Sequence, residues 1–200
     1  MIYIESTSDN PELSFRQRWN HYLAVVVVIV CIIIAVNLRD AALYAVTSYT
    51  NSTVGISALY PRNWLINTTG DYVFRVQDMS RVGFKTTIQV GVQAVSTNTS
   101  TRNIVDALTL NRSQTLAAYR SLPADNNFIL PDGTIATEVS YTYTAINADP
   151  FLETIPTVVR GIDIITIKRG QAVIITFLTD SESYEADYDT FSRFLDTLEF

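Results

Sequence analysis

The side chains that could carry chemistry are few. One histidine, His21, and one cysteine, Cys31, occur in 200 residues. A lone His and a lone Cys remove a His-containing catalytic triad, a cysteine-based zinc site and an internal disulfide. The glycines, at positions 55, 70, 83, 91, 133, 161 and 170, are never two apart. Neither a dinucleotide fingerprint nor a phosphate-cradling loop can be assembled from them, and there is no Gly-x-Ser-x-Gly elbow. Carboxylates remain. Glu182, Glu185, Asp187 and Asp189 crowd one stretch, but Phe191 stands at the third acidic position of a calcium loop and no Gly follows. These charges fit a helix start, where anions favour the dipole. Asp125-Asn126-Asn127 with Asp132 could offer several oxygens to a hard cation; the simpler reading is a polar turn satisfying its own backbone. His21 could ligate a metal or pigment at a membrane edge, or serve as an interfacial polar anchor. No catalytic, cofactor-binding or metal-ligating residue is assigned.

Composition points the same way. The chain has 14 Lys and Arg against 20 Asp and Glu, a net charge of −6, the wrong sign for tracking phosphate backbones. Nucleic acid is not an expected partner. Hydrophobic residues make up 48% and charged residues 17%, and mean hydropathy is +0.16. Part of this chain must therefore sit in lipid.

That part is Tyr22 to Leu38, 17 residues rich in Val and Ile, inside a run free of charge between Arg18 and Arg39. At roughly 1.5 Å per residue it reaches about 25 Å, slightly short of a hydrocarbon core of about 30 Å. Trp19, Asn20 and His21 at one end and Ala41 to Val46 at the other can extend it, with Arg39 snorkelling. The expected organisation is a short tail over 1–20, a transmembrane helix over 21–47 and one extracytoplasmic domain over 48–200. Glu5, Asp9 and Glu12 beside Arg16 and Arg18 are unlike the basic start of a cleaved signal, and no small-x-small site follows. Cys31, in mid-span, is a small apolar filler.

Arg16 and Arg18 before the span against Arg39 after it favour a cytoplasmic N-terminus. The remaining sequence is rich in Ser, Thr, Asn and Tyr and has only two lysines, Lys85 and Lys168, which suits an extracytoplasmic surface. Asn-x-Ser/Thr triplets begin at Asn51, Asn67, Asn98 and Asn111, too common by chance in such a composition to establish glycosylation.

Beyond Asn51 the apolar residues alternate. Strands are predicted over Val54–Tyr60, ended by Pro61, over Asp71–Asp78, and over Thr86–Ser96, where Ile88, Val90, Val92 and Ala94 share one face against Gln89, Gly91 and Gln93. Asn103–Leu122 carries Ile104, Leu108, Leu116 and Tyr119 at helical spacing, predicting a helix broken near Asn111 with Ser113 as a fresh cap. Thr134–Ile146 alternates after the Pro131-Asp132-Gly133 turn; Tyr141 and Tyr143 share a face with Val139, as core or as a partner-facing patch. A loop containing Asp149-Pro150 and Pro156 follows. Val158–Lys168 and Ala172–Thr179, β-branched and apolar on both faces, form a hairpin about Arg169-Gly170 at the centre of a sheet. Tyr184, Tyr188, Phe191, Leu195 and Leu198 make the stripe of a closing helix. About 150 residues suffice for one domain with its own core. The order implies an α+β fold, an antiparallel sheet flanked by helices.

The stretch Ile56-Ser-Ala-Leu-Tyr-Pro-Arg-Asn-Trp64 resembles the opening strand and turn of the PsbP-like family, named for an extrinsic subunit of the oxygen-evolving photosystem. Val159 to Phe177 and the closing segment ending Phe194-Leu-Asp-Thr-Leu-Glu-Phe200 resemble that family's last hairpin and helix. The resemblance spans roughly residues 54–200 and implies an α/β/α sandwich, with Trp64 closing a core edge. It also implies an accessory, assembly or binding role beside membrane complexes, and it brings no catalytic residues. The expected function is a non-catalytic, single-pass accessory subunit of a membrane complex, of photosynthetic or respiratory electron-transfer type. The alternative is a free membrane-anchored ligand-binding or assembly-factor module. Partners are the membrane and other subunits, met through the span and the domain surface.

Overall fold

A computed structural model describes residues 15–146 and 156–200. Most of the 1–20 tail and the Asp149-Pro150 dipeptide lie outside the described residues. The chain divides into two units, Met1–Ala45 and Val46–Phe200.

The first unit contributes α1 (Phe15–Leu43). Its segment Trp19–Leu43, 25 residues of mean hydropathy 2.7, buries nothing against protein and is long and apolar enough to cross a membrane. The helix runs through Arg39 and Asp40 and stops at Leu43. Val46 and Thr47, placed at the end of the span by sequence, are instead the start of a strand.

The second unit runs β1 (Val46–Asn51), β2 (Ile56–Pro61), β3 (Leu65–Asn67), β4 (Phe74–Gln77), β5 (Thr87–Ala94), α2 (Thr101–Thr115), β6 (Ala117–Ser121), β7 (Asp125–Ile129), β8 (Ile135–Ala145), β9 (Thr157–Lys168), β10 (Gln171–Asp180) and α3 (Tyr184–Asp196). Strands β1 and β2 pair as a ribbon; the other 8 form one antiparallel sheet ordered β3-β4-β5-β10-β9-β8-β6, with β7 also on β8. The long hairpin is central, as its apolar faces require. Arg169 and Gly170 both have positive φ, 54° and 76°, the combination whose twist matches paired strands.

One face of the sheet carries the main core. Alternation directs Val76, Ile88, Val90, Ile162, Ile164, Val173, Ile175 and Phe177 there, where α3 supplies Phe191, Phe194 and Leu195 and the β1-β2 ribbon supplies Ile56, Ala58 and Tyr60. Phe191 stacks on Phe177 with ring centroids 4.6 Å apart. Trp64 closes this core beside Pro61, whose carbonyl accepts its N–H at 3.0 Å. After α3, Glu199 exchanges backbone hydrogen bonds with Ser57, which ties the C-terminus to β2. Gln89 and Gln93 face the other side, as their polarity demands; Ala94, at the strand end, is exposed.

On the opposite face α2 covers only part of the sheet, packing Ile104 on Ile165 and Ala172. Ser100 caps it, accepting from the Asn103 N–H. The helix expected through Leu122 ends at Thr115, unbroken at Asn111, and Ser113 bonds back to the Leu110 carbonyl instead of opening a new helix. Ala117–Ser121 is drawn into the sheet as β6 along β8, where edge pairing outweighs a weak helical pattern. Strands β1, β3 and β7 escaped the sequence reading because each is short or polar and lies at a margin of its sheet.

Candidate functional site

Apart from Asp187, the acidic residues singled out by sequence have a local structural partner or face solvent. Asp180 Oδ1 accepts the Glu182 N–H at 3.0 Å, while Glu182, Glu185 and Asp189 are exposed around the start of α3. Asp125 Oδ1 accepts the Asn127 N–H at 2.9 Å; Asp132 accepts both the Thr134 N–H at 2.9 Å and its hydroxyl at 2.7 Å. These are the self-satisfying turns that Asx residues favour, and the Thr134 bonds hold the Asp132 carboxyl below the usual range. His21 and Cys31 are exposed on α1. Among the described residues no group of three His, Cys, Asp or Glu is placed to hold a metal ion.

Asp187 departs from the helix-start reading, because it is only 6% exposed. Its carboxylate accepts from Arg81 Nη2 at 2.5 Å, the Thr86 hydroxyl at 2.7 Å and the Thr179 hydroxyl at 2.5 Å. Arg81 also lies 3.5 Å from Asp78. This network pins the β4–β5 loop to α3, and complete satisfaction is what makes a buried carboxylate tolerable.

A second buried pair was not anticipated. Asp163, 1% exposed, sits mid-strand in β9 and accepts a forked contact from Arg112 of α2, with Nη2 to Oδ1 at 2.9 Å. The Thr176 hydroxyl donates to Asp163 Oδ1 at 2.8 Å. The guanidinium lies 4.3 Å over the Tyr141 ring. Tyr141 in turn lies across Gly161, where an added Cβ would meet the ring at 2.4 Å. Tyr141 is thus core. Burial pushes its hydroxyl far above the ordinary range, and that of Tyr143 upward as well. The signal in the sequence was a single carboxylate inside the apolar run Gly161-Ile-Asp-Ile-Ile165, buried on both faces and so in need of a cation.

Beyond the part of the sheet that α2 covers, the same face holds an open groove of about 1120 Å³. Its floor is Thr87 and Gln89 of β5, Leu178 of β10 and Tyr143 of β8; Arg75 and Gln77 of β4 form one side, and Thr115–Ala117 another. The loop before β5 brings Phe84 edge-on to Tyr143, ring centroids 6.5 Å apart. Arg75 turns Nε and Nη2 to Gln89 Oε1 at 2.9 and 2.8 Å. The groove can seat apolar groups and attract anions; it assembles no nucleophile with a base. A smaller hollow of about 720 Å³, between α2 and β8, carries both signs of charge through Arg102 and Asp106.

No family model matches this sequence, and no curated protein matches it at a significant level. Solved structures do match. The solution structure of cyanobacterial PsbP (CyanoP) from Synechocystis sp. PCC 6803 superposes with TM-score 0.54 at 11% identity, over 78% of this chain and 92% of that one. A Pseudomonas aeruginosa protein of unknown function covers 78% of this chain and 96% of its own, with TM-score 0.47 and 15% identity. The antiparallel sheet between α2 and α3, the Tyr60-Pro-x-x-Trp64 turn and the central β9–β10 hairpin together have the PsbP-type fold, carried in this chain behind one long apolar helix.

Proposed function

We propose that this chain is a single-pass membrane protein whose PsbP-type domain, extracytoplasmic, acts as a non-catalytic accessory subunit of a larger membrane complex. Photosynthetic or respiratory electron transfer is the setting in which it would assist assembly or stability. The observation that carries the proposal is the 25-residue apolar segment Trp19–Leu43, joined by Tyr44 and Ala45 alone to a domain of PsbP-type fold. The buried charges of that domain support a structural role, since Asp78, Asp163 and Asp187 each meet an arginine. An affinity-tagged full-length chain, extracted in mild detergent, should co-purify with a stoichiometric set of partner subunits. Recovery of the chain alone would remove the proposal. The second reading is a free membrane-anchored ligand-binding or assembly module, for which a lone chain that retains a ligand is the expected result.

A further inference from the structure

The groove differs from the rest of the molecule in charge. The chain carries 20 Asp and Glu against 14 Lys and Arg, yet among the described residues no carboxylate lines the groove, while Arg75 and Lys85 both do. Arg81, Arg112 and Lys168 each meet an aspartate. Arg75 is directed instead to an amide oxygen and the Tyr72 ring, 4.4 Å away, and Lys85 donates to the Arg81 carbonyl. Neither of these half-buried cations meets a carboxylate among the described residues.

Arg75 lies opposite Gln89, and Gln77 opposite Thr87. Lys85, in the loop two residues before Thr87, lines the same groove. Leu178 of β10 and Tyr143 of β8 lie on the far side of β5 from Arg75, with Phe84 edge-on to Tyr143, and Val82 and Ile146 stand exposed at the rim, Val82 completely. Small-ligand pockets enclose most of their occupant. A shallow groove with an apolar floor and two cations along its β4–β5 side is the pattern of a protein interface, apolar at its centre and charged at its rim.

We infer that this groove docks an acidic, apolar-rich segment of a partner protein, its carboxylates toward Arg75 and Lys85 and its apolar side chains on Phe84, Tyr143 and Leu178. The inference rests on the accessory-subunit reading and names the surface by which the partner is held.

The test uses the full chain in detergent with two variants, Arg75→Gln/Lys85→Gln and Val82→Glu; the second alters a fully exposed side chain that the fold does not need. The probe is a labelled peptide alternating Glu with Phe and Leu, with a Lys-for-Glu counterpart as control. The acidic probe should bind, lose about tenfold in affinity on both variants, and weaken with salt. Equal binding of the two probes, or no loss on either variant, overturns the inference. So does an approximately tenfold gain in binding on changing Asp149→Asn and Glu153→Gln, which would make the chain's own residues 147–155 the occupant. In native membranes the two variants should lose the co-purifying subunits. Subunits retained by both variants overturn the groove and leave the accessory role intact. If the unaltered chain brings down no subunits, the accessory role fails and the peptide binding alone decides the groove.

Discussion

Gly161 illustrates how one residue type is dictated by a neighbour far along the chain. The Tyr141 ring occupies the space of its missing Cβ, 2.4 Å away. In Gly161→Ala the ring must move, and with it the cation–π contact to Arg112. A loss of about 1–3 kcal/mol is expected in denaturant unfolding, the cost of overpacking a close-packed core; an unchanged midpoint would mean the ring moves freely. Glu138 gives a pH dependence. Burial is the main cause raising its pKa above 4.5, opposed by the Ser140 hydroxyl and Arg160 and reinforced by Asp125. The folded state therefore holds this proton more tightly than the unfolded chain does. Its stabilising contribution is complete below the unfolded value and declines as pH rises through the folded one. Glu138→Gln abolishes that decline, so the melting temperature of the variant should gain on the parent as pH rises above the ordinary glutamate value. Parallel curves would dismiss the effect.

At the scale of elements, α3 is held by a stack of rings, with Phe191 fully buried and Leu195 5% exposed. Phe191→Ala or Leu195→Ala should cost roughly 2–5 kcal/mol, measured by chemical unfolding of the domain. A cost under about 0.5 kcal/mol would mark the stripe as a surface for partners. The first two residues of β1, Val46 and Thr47, were absorbed into the end of the span by sequence alone, because Val46 continues an apolar run. Its Tyr49 packs against Phe74 with tilted rings, centroids 4.5 Å apart, and donates to the Val73 carbonyl at 3.2 Å. A domain starting at Val46 should consequently be more stable by about 2 kcal/mol than one starting at Ser52, the scale of burying one large side chain. Equal melting of the two would show that the ribbon contributes nothing to the core.

For the whole molecule the deciding question is which side of the membrane the domain occupies. Arg16 and Arg18 against Arg39 favour the N-terminus inside. Cys31 lies within the apolar span, so a bulky thiol reagent needs other targets: Ser52→Cys and Ser8→Cys, each in a Cys31→Ala background. Intact cells should label position 52 and spare position 8. The opposite pattern inverts the topology and moves the partners to the cytoplasmic face, and labelling of both positions indicates that the helix does not span.

What the sequence alone determined are the features whose cause is local. An uninterrupted apolar run makes a helix long and apolar enough to cross a membrane, Arg169-Gly170 closes a hairpin through its own dihedrals, and Tyr184 to Leu195 shows its period within a few turns. The α+β order and the resemblance to PsbP-like proteins were legible because those pieces stand in sequence as they do in space. Tertiary structure decided the rest. Ala117–Ser121 is a strand only because β8 offers an edge, and Asp187 is buried only because Arg81, Thr86 and Thr179 converge on it. Arg112, Asp163 and Tyr141 come from three separate elements, and the open groove exists only where α2 stops short of covering the sheet. Each depends on contacts between residues distant in the chain, and a pattern read along one segment carries no record of the partner that will complete it.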